Sequence, residues 1–177
     1  MLTIDPTAST LLIVDFQARL MPAIDGGAAA VANAQRLRAA AKLLGVSVLV
    51  TEQNAEGLGP TVAELAPAAG TLAHKMTFDA CRSAGFLDRF GDRRAVIVSG
   101  CETHVCVMQT ALGLLDAGRQ VYLVRDAVGS RRAESKETAI RRMERHGAEI
   151  VTTEMVIFEW LGSVEHPCFR EALALVK

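Results

Sequence analysis

The chain has 177 residues, half of them hydrophobic and 22% charged, with a formal net charge of -1. That length supports a single domain, residues 1–177, with one sizeable core, and the near-balanced charge argues against nucleic acid or an anionic membrane surface as a partner. The runs Leu11–Val14 and Val46–Val50 are too short to span a bilayer, and the N-terminus lacks the basic and long apolar regions of a signal peptide, so the expected compartment is the cytoplasm.

In chain order, Thr10–Asp15 is an apolar run ending in an acid, the pattern of a buried parallel strand with a functional residue at its carboxyl end. Phe16–Pro22 reads as a loop, and Ala28–Leu44 as a helix closed by Gly45. Val46–Thr51 is a second strand, Glu52–Gly59 a polar loop, and Pro60–Leu65 a short helix. Thr71–Lys75 is a short strand that delivers Lys75 to the same edge, and 78–90 is a loop with a turn or two of helix. Arg94–Ser99 is a strand and Thr103–Ala117 a helix ended by Gly118, with Val105, Met108, Leu112 and Leu115 on one face. The remaining elements are a strand over Gln120–Arg125, a helix over Ala133–His146, a strand over Glu149–Thr152, and helices over Glu154–Leu161 and Pro167–Val176. Strands alternating with helices at these lengths predict an α/β fold with a parallel sheet covered on both faces and right-handed crossovers. Ligands bind such sheets outside the carboxyl ends of strands, near a topological switch point. Asp15, Glu52, Lys75 and Cys106 all fall at predicted carboxyl ends.

The four cysteines, Cys81, Cys101, Cys106 and Cys168, fit no zinc spacing and favour no disulfide pattern. Cys106 stands apart because it opens a helix after the β-branched run ending in Ser99-Gly100. Free amides and a partial positive charge at a helix N-terminus stabilise a thiolate, which predicts a lowered thiol pKa and a nucleophile. Thr103 is a natural N-cap whose hydroxyl reaches toward the Cys106 amide; if that amide serves an oxyanion instead, Thr103 has another role. His104 is two residues from Cys106, and residues two apart on a helix point to different sides, so it is a poor base for this thiol. Asp15 and Lys75 arrive from other strands and are better candidates for proton acceptor and counter-charge. Gly26-Gly27 and Gly57-Leu58-Gly59 match no nucleotide fingerprint, and the basic helix 131–145 reads as a solvated face.

Three segments carry a resemblance over nearly the whole chain: Leu12–Gln17 with Asp15 and Gln17, Lys75 after the third strand, and Gly100-Cys101-Glu102-Thr103-His104-Val105-Cys106-Val107. In these the chain resembles the isochorismatase-like cysteine hydrolases, relatives of nicotinamidase and N-carbamoylsarcosine amidohydrolase. The resemblance implies a three-layer, Rossmann-like fold with a mainly parallel sheet of about six strands, and a catalytic triad of Asp15, Lys75 and Cys106. It also implies a cis peptide between Cys101 and Glu102, with the backbone amides of Glu102 and Cys106 as an oxyanion hole. Gln17, Phe78, Glu102 and His104 are candidates to line the substrate pocket. The region where nicotinamidases hold a metal reads Glu52-Gln53-Asn54-Ala55-Glu56, and no histidine precedes His74, so neither a metal nor another cofactor is expected. Cys106 argues against the vinyl-ether cleavage of true isochorismatases, which lack the thiol. The implied activity is hydrolysis of a small amide, carbamoyl or related ester substrate through a thioester on Cys106. Two readings of other classes compete: an idle binding or scaffold protein, and a redox-sensitive thiol. The resemblance also implies a homo-oligomer, with Phe158, Trp160 and Leu161 placed either at an interface or in the core.

Overall fold

A computed structural model describes residues 2–177. Six strands form one sheet: β1 (Ser9–Val14), β2 (Ser47–Gln53), β3 (Leu72–Lys75), β4 (Ala95–Cys101), β5 (Gln120–Gly129) and β6 (Glu149–Val151). Their order is β3-β2-β1-β4-β5-β6, and every neighbouring pair is parallel. The chain builds outward from β1 to β3, then returns to the other side of β1 with β4. The β1/β4 junction is therefore the switch point, where flanking loops diverge and leave a crevice.

Both sheet faces are covered, so the strands can be apolar on both sides. On one face Leu11 and Ile13 of β1 and Ile97 of β4 pack with α1 (Gly27–Leu44), α5 (Thr153–Leu161) and α6 (Phe169–Val176). Helix α1 presents Ala30, Ala34, Leu37 and Ala41 at three- and four-residue spacing and stops at Gly45, whose φ of 71° few other residues adopt. On the other face Leu12, Val14, Val96 and Val98 pack with α3 (Met108–Asp116) and α4 (Ala133–Arg145) through Ala111, Leu114, Ala139, Ile140 and Met143. Trp160 and Leu161 belong to the first cluster and are core residues rather than interface residues, whereas Phe158 is partly exposed.

Several elements differ from expectation. Strand β2 runs on to Gln53, and a one-turn helix, α2 (Ala55–Leu58), follows where a loop was predicted. Thr61 starts no helix: it bridges Gln17, and only Ala63–Leu65 turn helically. Strand β5 reaches Gly129 because a register shift opposite Val98–Gly100 lets its end pair with Gly100 and Cys101. The predicted helix from Thr103 begins as a π-helical turn, Thr103–Val107, before α3.

Gly100 lies on β4 beside Val14 of β1 with φ of 150°, and a Cβ there would come within 2.6 Å of the Val14 Cβ and closer still to its carbonyl oxygen. Only glycine lets the two strands approach this way. Gly100→Ala is expected to lower unfolding stability by about 1–3 kcal/mol, the usual cost of an overpacked site; chemical denaturation with an unchanged midpoint would contradict the close approach.

Candidate active site

Asp15, immediately after β1, adopts φ of 51°, a left-handed turn that carries the chain off the sheet. Its amide donates to Thr51 O at 3.2 Å. Its Oδ1 accepts from Thr51 Oγ1 at 2.6 Å, and its Oδ2 accepts from Lys75 Nζ at 2.7 Å. Lys75 also donates to Gln53 Oε1 at 2.9 Å and to Thr77 O at 3.3 Å, which uses all three ammonium protons. Both side chains of the ion pair are almost wholly buried, 0% exposed for Asp15 and 1% for Lys75. Such a pair gains little net stability over an apolar substitute, but removing one partner strands a buried charge.

Cys106 lies in the π-helical turn after β4, buried against the α3–α4 face. Its thiol is not that of an exposed helix N-terminus. Burial pushes it up to about 12, the adjacent Asp15 carboxylate adds to the rise, and the Lys75 ammonium opposes it. The expected lowered pKa is thus corrected: desolvation, aided by the Asp15 carboxylate, outweighs the Lys75 ammonium. Cys101 is likewise pushed to about 12 by burial.

The Cys101–Glu102 peptide bond is cis. Glu102 O accepts from the amides of Val105 and Val107, at 3.1 and 3.2 Å, and passes over the amide of Cys106. Thr103 does not cap the turn: Glu102 holds the N-cap position without a side-chain bond, and the buried Thr103 hydroxyl has no partner among the described residues.

The pocket candidates separate. Gln17 is wholly buried and is spent on structure: its Nε2 donates to Gln53 O and Gly59 O, and its Oε1 accepts from Gln53 N. No polar atom of Gln17 remains for a ligand, so it is not a lining residue. The Glu102 carboxylate accepts from the amide and Nε of Arg131. His104 bonds Ser130 Oγ through Nδ1 at 3.0 Å and lines a cavity of about 330 Å³ with Arg131, Arg132 and Ser135. Phe78 is half exposed on the loop after β3, close in sequence to the more exposed Met76. Glu52, at the same edge, turns away and accepts from Thr61. Among the described residues no three His, Cys, Asp or Glu side chains cluster closely enough to hold a metal.

Sequence reasoning missed Thr51 and Gln53. Their signal was present as alternation: two polar residues two apart on a strand share a face, and here it is the face of the ion pair.

Fold and site together define a doubly wound α/β protein with a thiol and a buried carboxylate–ammonium pair at its switch point. The Isochorismatase domain matches residues 9–155, and the chain belongs to the isochorismatase family. Isochorismatase domain-containing protein 2A of Mus musculus is 36% identical over 173 residues, covering 97% of this chain and 84% of that protein. Isochorismatase domain-containing protein 1 of Salmo salar is 34% identical over 175 residues, and the chain spans 62% of its length. The structure of MAR1 ribonuclease from Caenorhabditis elegans matches with a TM-score of 0.94 at 34% identity, covering 98% of this chain and 92% of that one. At 23% identity the fold is shared with the YcaC gene product of Escherichia coli, described as an octameric hydrolase of unknown specificity, with a TM-score of 0.83 over 99% of this chain and 88% of that one. No described helix is long and apolar enough to cross a membrane.

Two measurements probe this geometry. Lys75→Met alone is expected to cost about 3–5 kcal/mol of unfolding stability, and Lys75→Met combined with Asp15→Asn to cost less than Lys75→Met alone; equal losses would mean the pair is not closed in solution. The difference in thiolate ultraviolet absorbance between wild type and Cys106→Ala should stay flat through the range where a free cysteine ionises, about 8.5. A step at neutral pH would contradict the burial-dominated thiol.

Proposed function

We propose that the protein is a metal-independent cysteine hydrolase of small amide, carbamoyl or related ester substrates, with Cys106 as nucleophile, Asp15 as proton carrier and Lys75 as counter-charge. The observation that carries this reading is the placement of a thiol beside a carboxylate held ready by a buried ammonium at the switch point. A neutral resting thiol suits it, since the proton can pass directly to Asp15 as sulfur attacks.

In the first step the Cys106 sulfur bonds to the substrate carbonyl carbon and its proton goes to Asp15. The carbonyl oxygen becomes an oxyanion, for which the amides of Glu102 and Cys106 are the donors in this reading; the Cys106 amide is the one passed over by Glu102 O. Collapse breaks the bond to the leaving amine or alcohol, which takes the proton from Asp15 and leaves a thioester. Water then attacks the thioester, giving a proton to Asp15, and the departing sulfur takes that proton back. Lys75 stays charged throughout and offsets the negative charge as it moves from Asp15 to sulfur and oxygen. Pocket selectivity in this reading comes from Phe78, Glu102 and His104.

The name of the worm neighbour brings a second reaction class, cleavage of RNA. A net charge of -1 and a site lysine already neutralised by Asp15 offer little for a polyanionic backbone, so the amide reading is preferred.

The test is a panel of small amides, carbamoyl compounds and esters, with RNA as an additional substrate, followed by mass spectrometry of the trapped enzyme. The expected results are an acyl adduct on Cys106 and no turnover by Cys106→Ala. Turnover retained in Cys106→Ala, or RNA cleavage without any adduct, would overturn the assignment.

A further inference from the structure

Two buried polar side chains beside the ion pair have no part in the chemistry above. Thr51 and Gln53 alternate along β2 and share a face, while Glu52 between them turns toward Thr61. Sheet register puts each in place: Thr51 pairs with Val14, the residue before Asp15, and Gln53 pairs with Lys75 itself. The Thr51 hydroxyl donates to Asp15 Oδ1 and the Gln53 carbonyl oxygen accepts from Lys75 Nζ. Thr51 is fully buried and Gln53 nearly so.

Gln53 is locked at each of its polar groups. Its Nε2 donates to Met76 O at 2.8 Å, so a flipped amide would lose that bond and set an NH₂ group against the ammonium. Its backbone N–H and C=O are both held by the Gln17 side chain, which explains why Gln17 is buried and occupied. Gln17 thus reaches Lys75 through Gln53.

We propose that Thr51 and Gln53 are positioning residues of the Cys106 site, Thr51 holding Asp15 as the carboxylate and Gln53 holding the Lys75 ammonium turned toward it. This rests on the cysteine-hydrolase reading. A hydroxyl donated to a carboxylate favours its charged, proton-accepting form. A neutral carbonyl acceptor fixes an ammonium without cancelling its charge, as a second carboxylate would. When Asp15 takes the thiol proton, Gln53 and Thr77 O still hold two of the lysine protons, and the third is free to turn from Asp15 to the sulfur. The charged or titratable groups facing Asp15 are Lys75 from β3, Cys106 from the π-helical turn and Cys101 from β4. All three are retained in a Thr51 variant, so its effect reports the lost hydroxyl.

The experiment follows the pH dependence of Cys106 alkylation by iodoacetamide in the full chain, with the adduct located by mass spectrometry, and therefore needs no substrate. In wild type the rate should rise with pH to a plateau. Thr51→Val is expected to move that rise to higher pH by about one unit, since the carboxylate loses a donor, and Thr51→Ser to restore it. Gln53→Met should slow alkylation on the order of tenfold across the plateau, the scale of a lost bond to a charged group. If Thr51→Val does not fold, Thr51→Ala carries the same expectation. A folded Thr51 variant with an unmoved profile, or Gln53→Met alkylated at the wild-type rate, overturns the inference. Alkylation as fast in Asp15→Asn as in wild type would instead overturn the cysteine-hydrolase reading beneath it.

Discussion

The carboxyl edge of the sheet depends on one buried contact, the 2.7 Å bond from Lys75 Nζ to Asp15 Oδ2. Neither charge could be buried alone, because desolvating an unpaired ion costs more than the rest of the edge could offset. The pair fixes the spacing of three strands, since Asp15 follows β1, Lys75 ends β3, and β2 lies between them. Thr51 and Gln53 on that middle strand bond one partner each. A polar layer thus closes over the end of an otherwise apolar sheet with its principal bonds satisfied.

The thiol comes to this pair from the other side of the switch point. Gly100 lets β4 pass close to β1, the Cys101–Glu102 bond is cis, and a π-helical turn follows. A regular α-helix starting at Thr103 would bond the Cys106 amide to Glu102 O, four residues back. The π-helical turn instead gives that carbonyl to Val105 and Val107, so the irregular geometry lies at the residue whose amide the proposed oxyanion hole would use.

Much of this was legible in the sequence, for reasons that differ by element. The central strands were readable because a strand buried on both faces must be a short continuous apolar run. The long helices were readable from apolar spacing and the glycines that end them. Asp15 could be picked out at the end of such a run, Lys75 at the end of a short strand and Cys106 at the start of a helix, and family resemblance joined them. Less legible was whatever depended on neighbours distant in sequence. The extension of β5 to Gly129 requires a register shift against β4, and the Thr51–Asp15 bond spans 36 positions. Gln17 looked like a pocket residue because it follows Asp15 by two, yet its partners come from the β2 end and Gly59.

The thiol shows most clearly why local motif reading has a limit. From sequence, a cysteine opening a helix beside a lysine predicts an ionised nucleophile, because only its favourable neighbours are visible. In the fold the same cysteine is dehydrated and set against a carboxylate, and both effects run the other way. A permanently ionised thiolate would react with any passing electrophile or oxidant. In the proposed chemistry a buried thiol gives up its proton to Asp15 only as its sulfur attacks, so it reacts once an electrophile is placed beside it. On that reading, the desolvation that defeats the simple prediction ties reactivity to the presence of an acceptor. In the proposed chemistry it is therefore the Asp15–Lys75 pair, rather than the helix terminus, that governs when Cys106 acts as a nucleophile.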